Sequence, residues 1–292
     1  MRKLWGVIVI LGLALIGAVS FDLLVSPRDF SAGASKGYAR VVTLAPSMSE
    51  TMVALGEDLR VVGVTIHCTM EALRHAQKIG SFAEPNFEAI LALNPDLVLA
   101  VPHVMAKNTL DRLRANNIEV FAHQPDTLKD IKYIIEMLAK KLGIEVKGAA
   151  LCHAIDQAIK EARQGIKSRS HGDAPQTTLI AVSPEPFVVA GSTSFPSQVV
   201  EALGLINLAD DRKTAWPVWP LESLLARPPM IIILADGRES LARYQKIFRA
   251  LGLDLAQRKI RLILPDRPIF QSPSPALIHD ASYLSQLLQK ES

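Results

Sequence analysis

The chain has 292 residues, with 32 Lys and Arg against 29 Asp and Glu, for a net charge of +3. Hydrophobic residues make up 49% and charged residues 21%, which permits a sizeable core without a bias to disorder, and the length fits two lobes better than one average domain. Its basic residues are scattered, so nucleic-acid binding has no electrostatic footprint. Arg2 and Lys3 precede an apolar run from Leu4 to Val19 that ends in the small residues Ala18-Val19-Ser20, the pattern of an export signal over residues 1–20. A bilayer span needs roughly 20 apolar residues, so an uncleaved inner-membrane anchor is the second reading. No cysteine follows the run, leaving a lipid attachment unsupported. Residues 21–37 read as a flexible lead-in.

Beyond the lead-in, strand and helix patterns alternate, as in parallel α/β folds. Arg40–Ala45 reads as a strand, and Ser47-Met-Ser-Glu50 as a capping box opening a helix with Met48, Met52 and Leu55 on one face. Strands follow at Val61–Val64, Leu97–Val101 and Ile118–Ala122. Leu128, Ile131, Ile134, Ile135, Leu138 and Leu142 then recur at helical spacing. From Glu145 to Ser168 the pattern stays helical, interrupted only by Gly148 and Gly165, and a helix of that length spans about 35 Å. Strands resume at Thr178–Val182 and Phe187–Ala190. A helix capped by Ser194 starts near Pro196, strands follow at Met230–Leu234 and Arg261–Leu264, and a closing helix begins at Pro275. The expected organisation is an N-terminal α/β lobe over 38–142, a linking helix over 143–170 and a C-terminal α/β lobe over 171–292.

One repeat supports the two-lobe reading. Glu88-Ala-Ile-Leu-Ala-Leu-Asn-Pro-Asp-Leu-Val-Leu returns, at one constant offset, as Glu222-Ser-Leu-Leu-Ala-Arg-Pro-Pro-Met-Ile-Ile-Ile. Each copy has a proline upstream (Pro85, Pro220), a carboxylate at a helix start, a proline that stops the helix (Pro95, Pro229) and an unbroken apolar strand. A first-turn Glu is favoured by the helix macrodipole, proline cannot continue the helix, and an all-apolar strand suits a sheet covered on both faces. On these grounds Glu88 and Glu222 are either dipole-favoured helix starts or a pair of exposed carboxylates, one per lobe, facing a positively charged partner.

In such sheets the ligand cleft lies at the carboxyl ends of the strands, and His67, His103 and His123 fall in three strand-end loops. Three histidines there are also candidate ligands for bare Zn or Mn, although no Asp or Glu of matching placement completes a site. Cys68 follows a strand and Cys152 sits within a helix, which reads as two separate thiols. Gly191-Ser-Thr-Ser-Phe195 is not the nucleophile elbow of hydrolases, and neither a P-loop nor Gly-x-Gly-x-x-Gly occurs. A membrane-anchored hydrolase is therefore the weakest reading, and the protein is not expected to be an enzyme.

The segments Arg40-Val-Val-Thr-Leu-Ala-Pro-Ser-x-x-Glu50, Asn86-Phe-Glu-Ala-Ile-x-Ala-Leu-x-Pro-Asp-Leu-Val98 and Trp216-Pro-x-x-Pro-Leu-Glu-x-Leu-Leu-Ala-Arg-x-Pro229 carry a resemblance over residues 38–290. The chain resembles the periplasmic substrate-binding proteins of ABC importers for vitamin B12, ferric siderophores and haem, most of all the vitamin B12-binding members. That resemblance implies two Rossmann-like lobes with central parallel sheets joined by one long backbone helix. It also implies no intrinsic cofactor, a bound cobalt or iron chelate, an ABC permease with its ATPase as partner, a monomer, and a periplasmic location. Glu88 and Glu222 match the glutamates that meet permease arginines. Phe82 and Trp216 match aromatic positions of the vitamin B12 cleft, with Phe82 in place of a tryptophan and His67 in place of a tyrosine. Phe195, next to the Ser194 cap, is a further candidate for the cleft, and any of the three histidines is a candidate contact to a bound chelate.

Overall fold

The computed structural model describes residues 38–81, 83–102, 107–167, 175–209 and 214–290. The export signal, the lead-in over 21–37, Phe82, His103 and most of the loop from Ser168 to Pro175 lie outside the described residues.

The first half builds β1 (Val41–Thr43), α1 (Pro46–Ala54), β2 (Val61–Val64), β3 (Gln77–Lys78), α2 (Phe87–Ala92), β4 (Leu97–Ala100), α3 (Lys107–Ala115), β5 (Glu119–Ala122) and α4 (Leu128–Leu142). Its five strands stand in the order β3-β2-β1-β4-β5, all parallel. β1 and β4 are fully buried, as continuous apolar runs require in a sheet covered on both faces. β3 is a polar, exposed pair of residues with no alternation to betray it. The expected capping box at Ser47 does not form. Pro46 occupies the first turn of α1, Ala45 is the cap without a side-chain bond, and the Glu50 carboxylate is engaged elsewhere. α4 has the capping box instead: Thr127 accepts from the Asp130 N–H while the Asp130 carboxylate accepts from the Thr127 N–H.

The long helix α5 (Glu145–Lys167) follows, packed between α4 and α9 (Leu277–Gln289). Both of its glycines are points of close approach. A Cβ at Gly148 would lie 2.4 Å from the Ala139 Cβ on α4, and one at Gly165 would lie 2.4 Å from the Gln289 Nε2 on α9.

The second half builds β6 (Thr177–Ser183), β7 (Val188–Val189), α6 (Phe195–Ala202), β8 (Ile206–Asn207), α7 (Ser223–Ala226), β9 (Ile231–Leu234), α8 (Leu241–Ala250) and β10 (Arg261–Ile263) before α9 closes the chain. Ser194 caps α6 as expected, accepting from the Ser197 N–H at 3.3 Å. β6, β8, β9 and β10 are parallel, but β7 runs antiparallel to β6, so this sheet is mixed where a purely parallel one was expected. The hairpin-like return from β6 to β7 needs only a short turn, which a parallel crossover cannot use.

The sequence repeat survives folding in register. β4 and β9 are fully buried neighbours of the strands β1 and β6, and Pro95 and Pro229 are buried at matching positions ahead of them. One core cluster runs from Val41 and Leu97 through Ile155 on α5 to Ile180 and Leu284, so α5 is a shared spine and not a tether.

Candidate ligand-binding cleft

A cleft of about 360 Å³ opens where the first sheet's carboxyl ends face the chain between β10 and α9. Ala45, Pro46 and Ser47 come from the end of β1, His67 from the end of β2, Val101 from β4, and Gln124 with Pro125 from β5. Opposite them stand Gln271, Ser272 and Pro273. The strand order reverses between β1 and β4, and at such a switch point the loops diverge and leave a crevice.

Two contacts to the buried carboxylate of Asp280 aim the opposite wall. Phe270 holds φ at 57°, an uncommon conformation for a residue with a side chain. Its N–H donates to the Asp280 Oδ2 at 2.8 Å, while Arg267 pairs with the Asp280 Oδ1 at 2.8 Å. Gln271 is thereby delivered to the cleft from a fixed base. Both rims are tied across the halves. The Ser274 hydroxyl donates to the Glu50 carboxylate on α1, and Gln198 on α6 accepts from the Leu128 N–H at 3.3 Å while donating to the Asp126 carbonyl at 3.4 Å.

Of the sequence candidates, His67 is exposed and lines the cleft. His123 does not line it. Its Nε2 lies 3.1 Å from the Asp130 Oδ1 and its ring packs on Tyr133 at 4.8 Å, so α4 claims the side chain. Phe195, expected in the cleft, is only 5% exposed and sits edge-on to Phe270 in the core. The first residue of α6 points inward because its cap Ser194 and Pro196 are themselves buried. Trp216 is 49% exposed, on a segment whose neighbours Ala215 and Pro217 accept from the Gly191 and Val189 N–H groups at 2.9 and 3.1 Å. Sequence reasoning missed Ser47, Gln124, Gln271 and Ser272. The usable signal was topological, since Ser47 and Gln124 lie just beyond the carboxyl ends of the parallel strands β1 and β5, and Gln271 and Ser272 lie in the chain ahead of the closing helix.

Glu88 is exposed in the first turn of α2, whose cap Asn86 accepts from the Ala89 N–H at 3.0 Å. Glu222 is exposed just before the single-turn α7, one position earlier than expected, and its carbonyl accepts from the Leu225 and Ala226 N–H groups at 3.0 and 3.1 Å. Neither carboxylate lines the cleft.

Residues 41–252 match the family described as "Periplasmic binding protein". The chain belongs to that family. Among curated relatives, the vitamin B12-binding protein of Yersinia pseudotuberculosis serotype O:1b (strain IP 31758) is 24% identical over 277 residues, 94% of each chain. Among solved structures, the periplasmic vitamin B12 binding protein of Vibrio cholerae aligns with a TM-score of 0.69 at 21% identity, covering 86% of this chain and 97% of its own. A periplasmic heme binding protein from Pseudomonas aeruginosa aligns with a TM-score of 0.71 at 22% identity, covering 86% and 93%. At such identities the structural likeness shows a shared fold.

In this periplasmic binding protein, no group of three His, Cys, Asp or Glu side chains able to hold a metal ion occurs among the described residues. Both cysteines are free, Cys68 buried and Cys152 half-buried. Burial, with Glu136 nearby, pushes the Cys152 thiol up from its ordinary range. Among the described residues, three buried side-chain polar atoms lack a partner: the Thr65 Oγ1, the Gln124 Oε1 and the Asp236 Oδ1. Each belongs to a residue within two positions of the carboxyl end of a parallel strand, where a sheet presents groups to a ligand.

Proposed function

We propose that this protein is the ligand-capturing component of an ABC importer. After export under its N-terminal signal, it holds one bulky cobalt or iron chelate between its lobes and delivers it to a permease with its ATPase. The carrying observation is the cleft at the switch point of the first sheet, walled by both halves of the chain and tied across at both rims. The names of its relatives and structural neighbours, vitamin B12-binding and heme-binding, support a macrocyclic metal chelate as the ligand class. The cleft is at the lower end of ligand-site volumes, so a macrocycle enters by parting the lobes. Trp216 and Phe82 are the proposed aromatic walls, because rigid rings bury a flat ligand's area at little entropic cost. Glu88 and Glu222, exposed and outside the cleft, are the proposed docking pair for a two-fold, positively charged permease.

The test is retention. The exported form is incubated with cyanocobalamin, haemin or a ferric siderophore and desalted, and its visible spectrum is recorded. One equivalent of bound chromophore supports the reading. Colourless protein after every incubation refutes it.

A further inference from the structure

Hydrogen bonds join the two halves at both rims of the cleft, and each join is rooted beside the cleft wall. At one rim Ser274, which directly follows the lining residues Gln271, Ser272 and Pro273, donates to Glu50, one turn along α1 from the lining residue Ser47. At the other, Gln198 meets the chain that follows Gln124 and Pro125, accepting from the Leu128 N–H and donating to the Asp126 carbonyl. The Gln198 amide has one orientation, since its two ends face a donor and an acceptor. Leu128 is the first residue of α4, so its N–H is one of the donors that a helix start leaves unpaired. On the second half the two attachments form one unit. Phe195, at the start of the helix bearing Gln198, meets Phe270 edge-on with ring centroids 6.2 Å apart, and Phe270 leads directly into the segment bearing Ser274. On the first half the anchors lie beyond the carboxyl ends of β1 and β5, with β4 between, so these strands stand roughly 10 Å apart at the usual strand spacing. Two fasteners set apart in this way oppose both opening and twisting of the cleft.

Resting on the chelate-capture reading for what must enter, we propose that Gln198 and Ser274 form a paired latch. It holds the ligand-free cleft shut and sets how fast a ligand is exchanged, not how tightly it is held. Neither residue belongs to the described cleft wall, so a ligand leaves both joins in place once the lobes close on it. Cutting them therefore disfavours the closed state by the same amount with the cleft empty and filled. A change equal in both states leaves the affinity where it was. Entry and exit both need parted lobes, so they accelerate together.

The test compares the unmodified protein with Gln198→Met, Ser274→Ala and the pair. In the ligand-free state, nitroxides at Lys129 and Gln245, exposed on α4 and α8, report the separation of the lobes by pulsed electron resonance, with Cys68→Ser and Cys152→Ser as background. One narrow distance is expected with the latch intact, and a second, longer population in the double variant. A double variant with the distance unchanged, or an intact latch with the longer population already present, would overturn the proposal. Stopped-flow spectroscopy with cyanocobalamin and with haemin then reads ligand exchange in the unlabelled proteins. Whichever chelate binds is expected to associate and dissociate about tenfold faster in the double variant, the scale of a few hydrogen bonds lost, with its dissociation constant held within about twofold. Unchanged rates, or weaker binding with association unchanged, would overturn the latch and leave chelate capture intact. Each single variant is expected to speed both rates to a smaller extent, which carries the comparison if the double variant folds poorly. Binding of neither chelate would overturn chelate capture, whereas the lobe distances would still decide the latch.

Discussion

The Ser274 hydroxyl, 1% exposed at the foot of α9, donates to the Glu50 carboxylate on α1, joining residues 224 positions apart across the cleft rim. Glu50 is the very residue whose spacing from Ser47 suggested a capping box. The same side chain ties the two halves together instead. Ser274→Ala leaves this partly buried carboxylate without its donor, which costs about 1–3 kcal/mol. Urea denaturation of the ligand-free protein should show that loss, and an unchanged midpoint would mean the bond is incidental.

Gly148→Ala sets two effects against each other. Replacing glycine within a helix favours folding by up to about 1 kcal/mol, but the new Cβ would meet the Ala139 Cβ at 2.4 Å, and overpacking of that kind costs about 1–3 kcal/mol. A net loss is expected in thermal melts. Ala139→Gly in the same chain should recover part of it, although that second glycine weakens α4. If Gly148→Ala alone raised the melting temperature, α4 and α5 would not be in the close contact described.

The acid limb of stability should carry a mark of Asp130. Burial acts to raise this carboxyl, but the bonds from the Thr127 hydroxyl and N–H and the adjoining His123 ring outweigh it and hold the carboxyl below its ordinary range. The unfolded carboxyl titrates near pH 4, about its ordinary value. The contribution is therefore complete above that value and is lost as pH falls through the lower folded one. The melting-temperature difference between the unmodified protein and Asp130→Asn should be constant near neutrality and shrink from about pH 4 downward. A difference that stays fixed down to the acid limit would remove the carboxylate from the account.

Glu88→Ala with Glu222→Ala is expected to leave the chelate dissociation constant unchanged while abolishing uptake in cells. Its association with permease in nanodiscs should weaken and lose its salt sensitivity, since rim charges act mostly on encounter. Uptake that survives the double change would return both glutamates to a preference for helix starts.

Much of the scaffold was readable because apolar runs in a covered sheet leave little room for other patterns. Val61–Val64 and Leu128–Leu142 fall at the expected boundaries, and the repeat joining Glu88 to Glu222 marks equivalent elements of two sheets. The two-residue strands β3 and β8 were invisible, since pairing partners and not side-chain periodicity define them. The cleft was legible only in outline. Strand ends could be located, but not which loop side chains face inward. His123 turns to Asp130, Phe195 turns into the core, and the inconspicuous Gln124 takes a place in the wall. Such choices depend on partners far away in sequence.

The central claim, one chelate gripped by both lobes, is tested most directly by isothermal titration of the exported form. Cyanocobalamin, haemin, a ferric siderophore, Zn and Mn are titrated in separate runs. The account predicts saturable heat with a stoichiometry of one for at least one chelate, and none for the bare ions. Saturable binding of Zn or Mn with silence from every chelate would contradict it.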